Sequence, residues 1–156
     1  MNIEVGQKAP EFSLFASDKS RVTLSDLKGK NIVLLFFPQA FTGVCTAELF
    51  NVRDNIAAYN NTNAQVYGIS VDSIFTLDKF RQEQGLNFPL LSDFNKDVSK
   101  AYNSLMEDFV FDMKGVSKRS AFVIDKEGVV RYSEILGKVT DLPDFEAIQK
   151  TLAELN

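Results

Sequence analysis

Six consecutive apolar residues, Ile32 to Phe37, are stopped by Pro38, cross a short Ala/Phe/Thr/Gly loop and give way at Val44 to a strongly helical pattern. No polar residue interrupts the run, so it reads as a strand covered on both faces. After the polar break Asn60-Asn61-Thr62-Asn63, Gln65 to Val71 alternates and then turns apolar, which predicts a second central strand. Two such strands joined by a helix make a βαβ unit, and the rest of the chain has to be arranged around it.

Upstream, Phe12 to Phe15 and Arg21 to Leu24 flank the turn Ala16-Ser17-Asp18-Lys19-Ser20, the pattern of a β-hairpin covering one sheet edge. Ser25-Asp26-Leu27-Lys28-Gly29 predicts one helical turn closed by glycine. The helix that begins near Val44 is expected to run to Tyr59. A second helix is predicted from Ser73 to Gln84, with Ile74, Leu77 and Phe80 inward and Gly85 ending it, and a third, shorter one from Lys96 to Leu105. Met106 to Val116 has apolar residues without a clear period and is expected to be a loop with an extended piece. Ser120 to Ile124 and Val129 to Leu136 form a second hairpin about a charged turn, and Leu142, Phe145, Ile148, Leu152 and Leu155 mark a final amphipathic helix. This order requires helices on both faces of a mixed sheet, an α/β three-layer arrangement. At 156 residues, without a linker or repeat, the expectation is one domain spanning 1–156.

Composition excludes more than it names. A net charge of -4 argues against a nucleic-acid partner, which needs a concentrated basic face. No apolar stretch approaches 18 residues and Met1 opens no charged-then-apolar leader, so neither a membrane partner nor a secretory signal is expected, and the cytoplasm is the default location. One cysteine rules out an intrachain disulfide, a Cys-x-x-Cys pair and a multi-cysteine zinc site. With no histidine, there is no Cys-His or Ser-His-Asp pair and no histidine-bound metal or haem.

That single cysteine, Cys45, lies where the first central strand hands over to the helix. Thr42 is a natural N-cap, which makes Gly43 the first helical residue and Cys45 the third. Unpaired N–H groups and the positive end of the helix dipole in this turn favour a thiolate over a thiol. Cys45, Leu49, Val52, Ile56 and Tyr59 share one helical stripe, so the sulfur points toward the body of the protein. Position alone leaves two readings open, a reactive thiol or a small buried hydrophobe.

The wider pattern separates them. Pro38-x-x-x-Thr42-x-x-Cys45, followed by Thr46-Ala47-Glu48, resembles the active-site signature of the peroxiredoxins. Val5-Gly6-Gln7-Lys8-Ala9-Pro10-Glu11-Phe12, Ile69-Ser70-Val71-Asp72, Phe88-Pro89-Leu90-Leu91-Ser92-Asp93 and Arg119 before the strand Ala121 to Asp125 follow in the family's order, so the likeness covers nearly the whole chain. It implies a thioredoxin-like fold with an N-terminal β-hairpin and an insertion after the second central strand. It also implies a thiol-dependent peroxidase that reduces hydrogen peroxide and organic hydroperoxides through a Cys45 sulfenic acid, with no cofactor and no metal.

In that reading Cys45 is the nucleophile. The Val44 and Cys45 N–H groups and the Thr42 hydroxyl bind the peroxide, Arg119 supplies a permanent charge with several planar donors, and Pro38 keeps water off the sulfur. Phe41 lines the pocket or a subunit contact, and Glu48, one helical turn past Cys45, orients an arginine such as Arg119 or Arg53. Each has a plainer alternative: Thr42 only capping, Pro38 only ending a strand, Arg119 and Glu48 on solvated faces, Phe41 in the core.

One departure matters. Many members resolve the sulfenic acid with a second cysteine, in some cases five residues on, where this chain has Phe50. The likeness is therefore to the one-cysteine type of the alkyl hydroperoxide reductase E class, which implies an external thiol: a thioredoxin, a glutaredoxin-like protein or a small thiol. A homodimer through the faces near the active site is also implied. Two rival functions remain: a single-turnover redox sensor or binding module of the same fold, and a one-cysteine thiol transferase linked to glutathione. Thr42, where a transferase often has the first cysteine of its pair, and Arg119 both argue against the latter.

Overall fold

The computed structural model describes residues 3–138 and 140–156; Met1, Asn2 and Val139 lie outside the description. In chain order the strands are β1 (Ser13–Ala16), β2 (Arg21–Thr23), β3 (Asn31–Phe36), β4 (Ala64–Ser70), β5 (Leu90–Ser92), β6 (Leu105–Asp108), β7 (Lys114–Ser117), β8 (Ser120–Ile124) and β9 (Val130–Ile135). The helices are α1 (Gly43–Asp54), α2 (Ile56–Asn61), α3 (Ile74–Gln84), α4 (Asp97–Ala101) and α5 (Phe145–Glu154). Seven strands form one sheet in the order β2-β1-β5-β4-β3-β8-β9. β3 runs parallel to β4 and β4 to β5, while β1, β2, β8 and β9 join antiparallel, so the sheet is mixed as expected.

The uninterrupted apolar run has a simple structural cause. Alternate side chains of a strand point to opposite faces. Val33, Leu35 and Phe37 enter a core with Leu49 and Val52 of α1, Tyr59 of α2, Leu77 and Phe80 of α3 and Ile148 and Leu152 of α5. Ile32, Leu34 and Phe36 enter a second core with Tyr102, Phe122, Val98 of α4 and the N-terminal Ile3, Ala9 and Phe12. Both sets are completely or almost completely buried, so truncating one such side chain, Leu35 to Ala for instance, costs ~2–5 kcal/mol.

Several expectations are revised. The helix expected to reach Tyr59 breaks at Asn55 (φ −120°, ψ 20°), whose side-chain amide donates to the Asn51 carbonyl at 2.7 Å and whose backbone N–H turns to Val52. A short polar side chain thus competes with the helical ladder. The third helix is only Asp97–Ala101: Lys96 precedes it in a left-handed conformation, the Asp93 carboxylate accepts the Val98 and Ser99 amides, and Asn103 (φ 53°) follows its end. Within Met106 to Val116 the extended piece is a whole hairpin, because β6 and β7 pair antiparallel as a separate ribbon. The final helix starts at Phe145, capped by Asp144, and leaves Leu142 exposed ahead of it. The N-terminal hairpin, by contrast, covers one edge of the sheet as expected, since β1 pairs with β5.

Gly85 behaves as read, while Ser73, expected as the first helical residue, is the cap just ahead of Ile74. The Ser73 hydroxyl accepts the Thr76 amide, and Gly85 closes α3 at φ 61°, a conformation costly for a residue with a Cβ. No helix among the described residues is long and apolar enough to cross a membrane.

Candidate active site

Strand register brings the first and last thirds of the chain together at one point. α1 starts just beyond the carboxyl end of β3, where open α/β sheets place their ligand sites. β8 runs antiparallel beside β3 with Ser120 opposite Phe36, so the residue before β8 arrives at that same end. That residue is Arg119, and the Leu136 amide donates to its carbonyl at 2.9 Å and fixes its backbone. Buried hydroxyl pairs brace the approach, Ser99 to Ser117 at 2.7 Å and Ser104 to Ser120 at 2.8 Å.

Arg119 Nη2 donates to Cys45 Sγ at 3.2 Å, and Nη1 donates to Glu48 Oε1 at 2.5 Å. All three residues are buried, at 2%, 1% and 0% exposure. A guanidinium gripped by a carboxylate on one nitrogen and a sulfur on the other has little freedom, and its planar fork suits that double contact. Of the two arginines considered for Glu48, Arg119 is the partner. Arg53 instead pairs with Asp54, donates to the Gln84 carbonyl and lies over the Phe50 ring, 4.0 Å from its centroid.

Glu48 is pulled in two directions. Burial raises its pKa, while the charge and hydrogen bond of Arg119 lower it, and the balance leaves it pushed up to about 7. Its second oxygen, Oε2, is buried without a hydrogen-bond partner among the described residues, a costly arrangement outside a functional site. Burial opposes the charge of Arg119 as well, but Glu48 and Cys45 outweigh it, so its pKa rises above the ordinary value.

The other sequence candidates gather at the same end. Thr42 takes the N-cap position in extended conformation (φ −104°, ψ 150°) and Gly43 is the first helical residue, but the capping bond is absent. Its hydroxyl donates to the Gln39 carbonyl at 3.0 Å, because the tight turn brings that oxygen within reach. Pro38 is buried two residues past the end of β3, and Val44 is half-buried in the first helical turn. Phe41 sits at φ 67°, sparsely populated for a bulky residue, half exposed, with its ring edge-on to Phe80 at 4.9 Å.

Two contacts of this loop were not read from the sequence. The Ala40 amide donates to Asp72 Oδ2 at 2.8 Å, and Gln39 Nε2 contacts Met113 Sδ at 3.2 Å. Asp72 belongs to the Ile69-Ser70-Val71-Asp72 segment, but its contact depends on a partner 32 residues away. The β6–β7 ribbon that delivers Met113 had no legible period. Among the described residues no group of acidic or sulfur side chains is arranged to hold a metal.

A buried thiol held by a guanidinium at a helix start, on a thioredoxin-like sheet, defines a class of thiol-based redox proteins. The AhpC/TSA family matches residues 5–133, and the chain belongs to that family, the peroxiredoxins, which are thiol-dependent peroxidases. It is 38% identical over 144 residues to alkyl hydroperoxide reductase E of Mycobacterium tuberculosis, spanning 89% of this chain and 91% of the relative. It is 39% identical over 158 residues to peroxiredoxin-2 of Bos taurus, spanning 95% of this chain and 75% of that one. Among solved structures, peroxidoxin BcpB from Mycobacterium tuberculosis superposes with a TM-score of 0.88 at 26% identity, covering 99% of both chains.

Proposed function

We propose that this protein reduces hydrogen peroxide and organic hydroperoxides through Cys45, and that an external thiol closes the cycle. The observation that carries this reading is the 3.2 Å contact between the Arg119 guanidinium and the buried sulfur. A thiolate next to a permanent cation, in the first turn of α1, is the reactive form of the thiol.

The thiolate attacks one peroxide oxygen, an S–O bond forms and the O–O bond breaks. The departing alkoxide or hydroxide takes up a proton and leaves as alcohol or water, while Cys45 is oxidised to sulfenic acid. Negative charge moves from sulfur to the leaving oxygen, so donors already aimed at both atoms stabilise the transition state without reorganising. Arg119 and the N–H groups of Val44 and Cys45 take that role. Thr42 contributes its hydroxyl by exchanging the Gln39 carbonyl for a peroxide oxygen. Pro38 and Phe41 form the wall of the mouth, and Glu48 holds Arg119 in line.

No second cysteine exists in the chain, so a thiol from outside condenses with the sulfenic acid, releases water and leaves a mixed disulfide that a further thiol reduces. A thioredoxin, a glutaredoxin-like protein or a small thiol fits that role. At 1% exposure Cys45 is closed to a protein sulfur, so the first turn of α1 has to loosen for resolution. A homodimer formed by the faces near the site, a reducing cytoplasmic compartment and a single domain complete the reading.

Mixing the reduced protein with peroxide should consume one equivalent rapidly and give one sulfenic acid at Cys45, and a thioredoxin-type reductant should sustain turnover. Cys45→Ser should abolish both; survival of peroxide loss rejects the proposal, and one oxidation followed by a stall identifies a sensor.

A further inference from the structure

The loop between β3 and α1 carries Pro38 and Thr42 and aims the first turn of α1, yet it holds a bulky residue, Phe41, in a left-handed conformation at φ 67°. Such backbone persists only where the surroundings over-determine it. Phe41 contributes through its ring on Phe80, but half of that side chain is open to solvent. Pro38 has no N–H to give. Among the described residues, Ala40 is the one position from 38 to 42 whose backbone amide donates to a side chain of another element, and the acceptor is Asp72 Oδ2 at 2.8 Å.

Asp72 is itself held from several directions at the carboxyl end of β4. The Ser70 hydroxyl donates to the same Oδ2 at 2.7 Å, the Asp72 amide donates back to Ser70 Oγ at 3.2 Å, and the Ser92 hydroxyl at the end of β5 donates to the Asp72 carbonyl at 2.6 Å. The Asp93 amide donates to the Ser70 carbonyl at 2.7 Å and ties the two strand ends together. The carboxylate is therefore a fixed point on the sheet, and the loop hangs from it through one charge-assisted hydrogen bond.

We propose that Asp72 is a positioning residue for the peroxidase reaction, acting through the Ala40 amide to set the height and direction of the Thr42–Cys45 turn against Arg119. Arg119 is anchored separately, on β8 and through Leu136, so the loop and the guanidinium meet correctly only while each is held to the sheet. Releasing the loop leaves the sulfur against Arg119 but moves the Val44 N–H and the Thr42 hydroxyl away from the peroxide oxygens. This inference rests on Cys45 being the peroxide-reducing thiol. A wild-type protein that fails to consume peroxide through Cys45 defeats that reading before any Asp72 variant is compared.

The test measures two reactions of Cys45 at one pH, single-turnover oxidation by hydrogen peroxide and alkylation by iodoacetamide, which needs a thiolate but no oriented donors. Asp72→Ala should slow peroxide oxidation by ~10- to 100-fold, the effect of a small misplacement in a positioned site, while alkylation holds or quickens. Asp72→Asn, whose amide oxygen still accepts from Ala40, should stay near wild type in both. An unchanged peroxide rate in Asp72→Ala, equal slowing of both reactions, or Asp72→Asn as slow as Asp72→Ala would each overturn the proposal. If Asp72→Ala does not fold, Ser70→Ala removes one support of Oδ2. It should show the same asymmetry at smaller size, and equal slowing there counts against the proposal too.

Discussion

Two regions lie beyond the carboxyl ends of the parallel strands, and they differ in kind. Past β4 and β5 a cavity of about 730 Å³ is lined by Phe12, Phe15, Phe75, Phe94 and Arg21, with Glu11 and Asp93 at its wall. It is large and carries four phenylalanines in its wall, but three of its charged groups are already engaged. Asp93 accepts the Val98 and Ser99 amides, Glu11 accepts the Phe12 and Ser25 amides, and Arg21 lies over the Phe15 ring at 4.4 Å. Past β3 there is little open space, yet three chemically potent groups are buried together and one carboxylate oxygen has no hydrogen-bond partner among the described residues. Size marks a surface that can hold something; buried, strained electrostatics mark where bonds change.

The largest effect expected from this contrast is at Arg119. Arg119→Met removes the charge and keeps much of the volume, and the second-order rate with peroxide should fall by ~10²–10³-fold in stopped flow, the usual loss when a preorganised donor is removed. A loss of less than about tenfold would mean that the helix start alone activates the sulfur and that the contrast has been drawn too sharply.

Glu48 sharpens the comparison through pH. Its carboxyl has an ordinary value of 4.5 and is pushed up to about 7 in the folded protein, chiefly by burial. Between those values the folded state binds more protons than the unfolded one. The stabilising contribution is therefore complete below the lower value and lost as pH climbs through the upper one. Relative to Glu48→Gln, wild type should lose up to ~3 kcal/mol of stability between pH 4.5 and 8, read from urea titrations at each pH. Parallel stability curves would mean that Arg119 keeps Glu48 ionised throughout.

The smallest expected effect is in the aromatic groove. Phe75→Ser and Phe94→Ser replace side chains that are 70% and 60% exposed, so Cys45 oxidation by hydrogen peroxide should stay at the wild-type rate. A marked slowing in the same stopped-flow measurement would couple the groove to the chemistry and break the distinction.

Elements whose cause is local were legible in advance. The two central strands, the start of α1 at Gly43, the glycine stop of α3 and the β8–β9 hairpin rest on apolar runs, periodicity and capping residues. The misses have non-local or competing causes. The break at Asn55 follows from a side-chain bond to Asn51, and the early end of α4 from turns at its two ends. The β6–β7 ribbon has strands too short and too exposed to alternate clearly. Thr42 was placed correctly as N-cap position, but its hydroxyl bond went to Gln39, which only the shape of the loop decides.

For the site the division is similar. One cysteine, no histidine and a helix start after a central strand are properties of the linear chain, and they restrict the chemistry to a single thiol activated by charge and hydrogen bonds. What the chain order cannot express is distance. Cys45 and Arg119 are 74 residues apart, and it is the antiparallel register of β8 on β3 that leaves their side chains 3.2 Å apart. The choice of Arg119 over Arg53 for Glu48, the unpartnered oxygen and the hold of Asp72 on the loop likewise come from packing. Each is a contact between elements that the sequence specifies separately and that only the assembled sheet brings together.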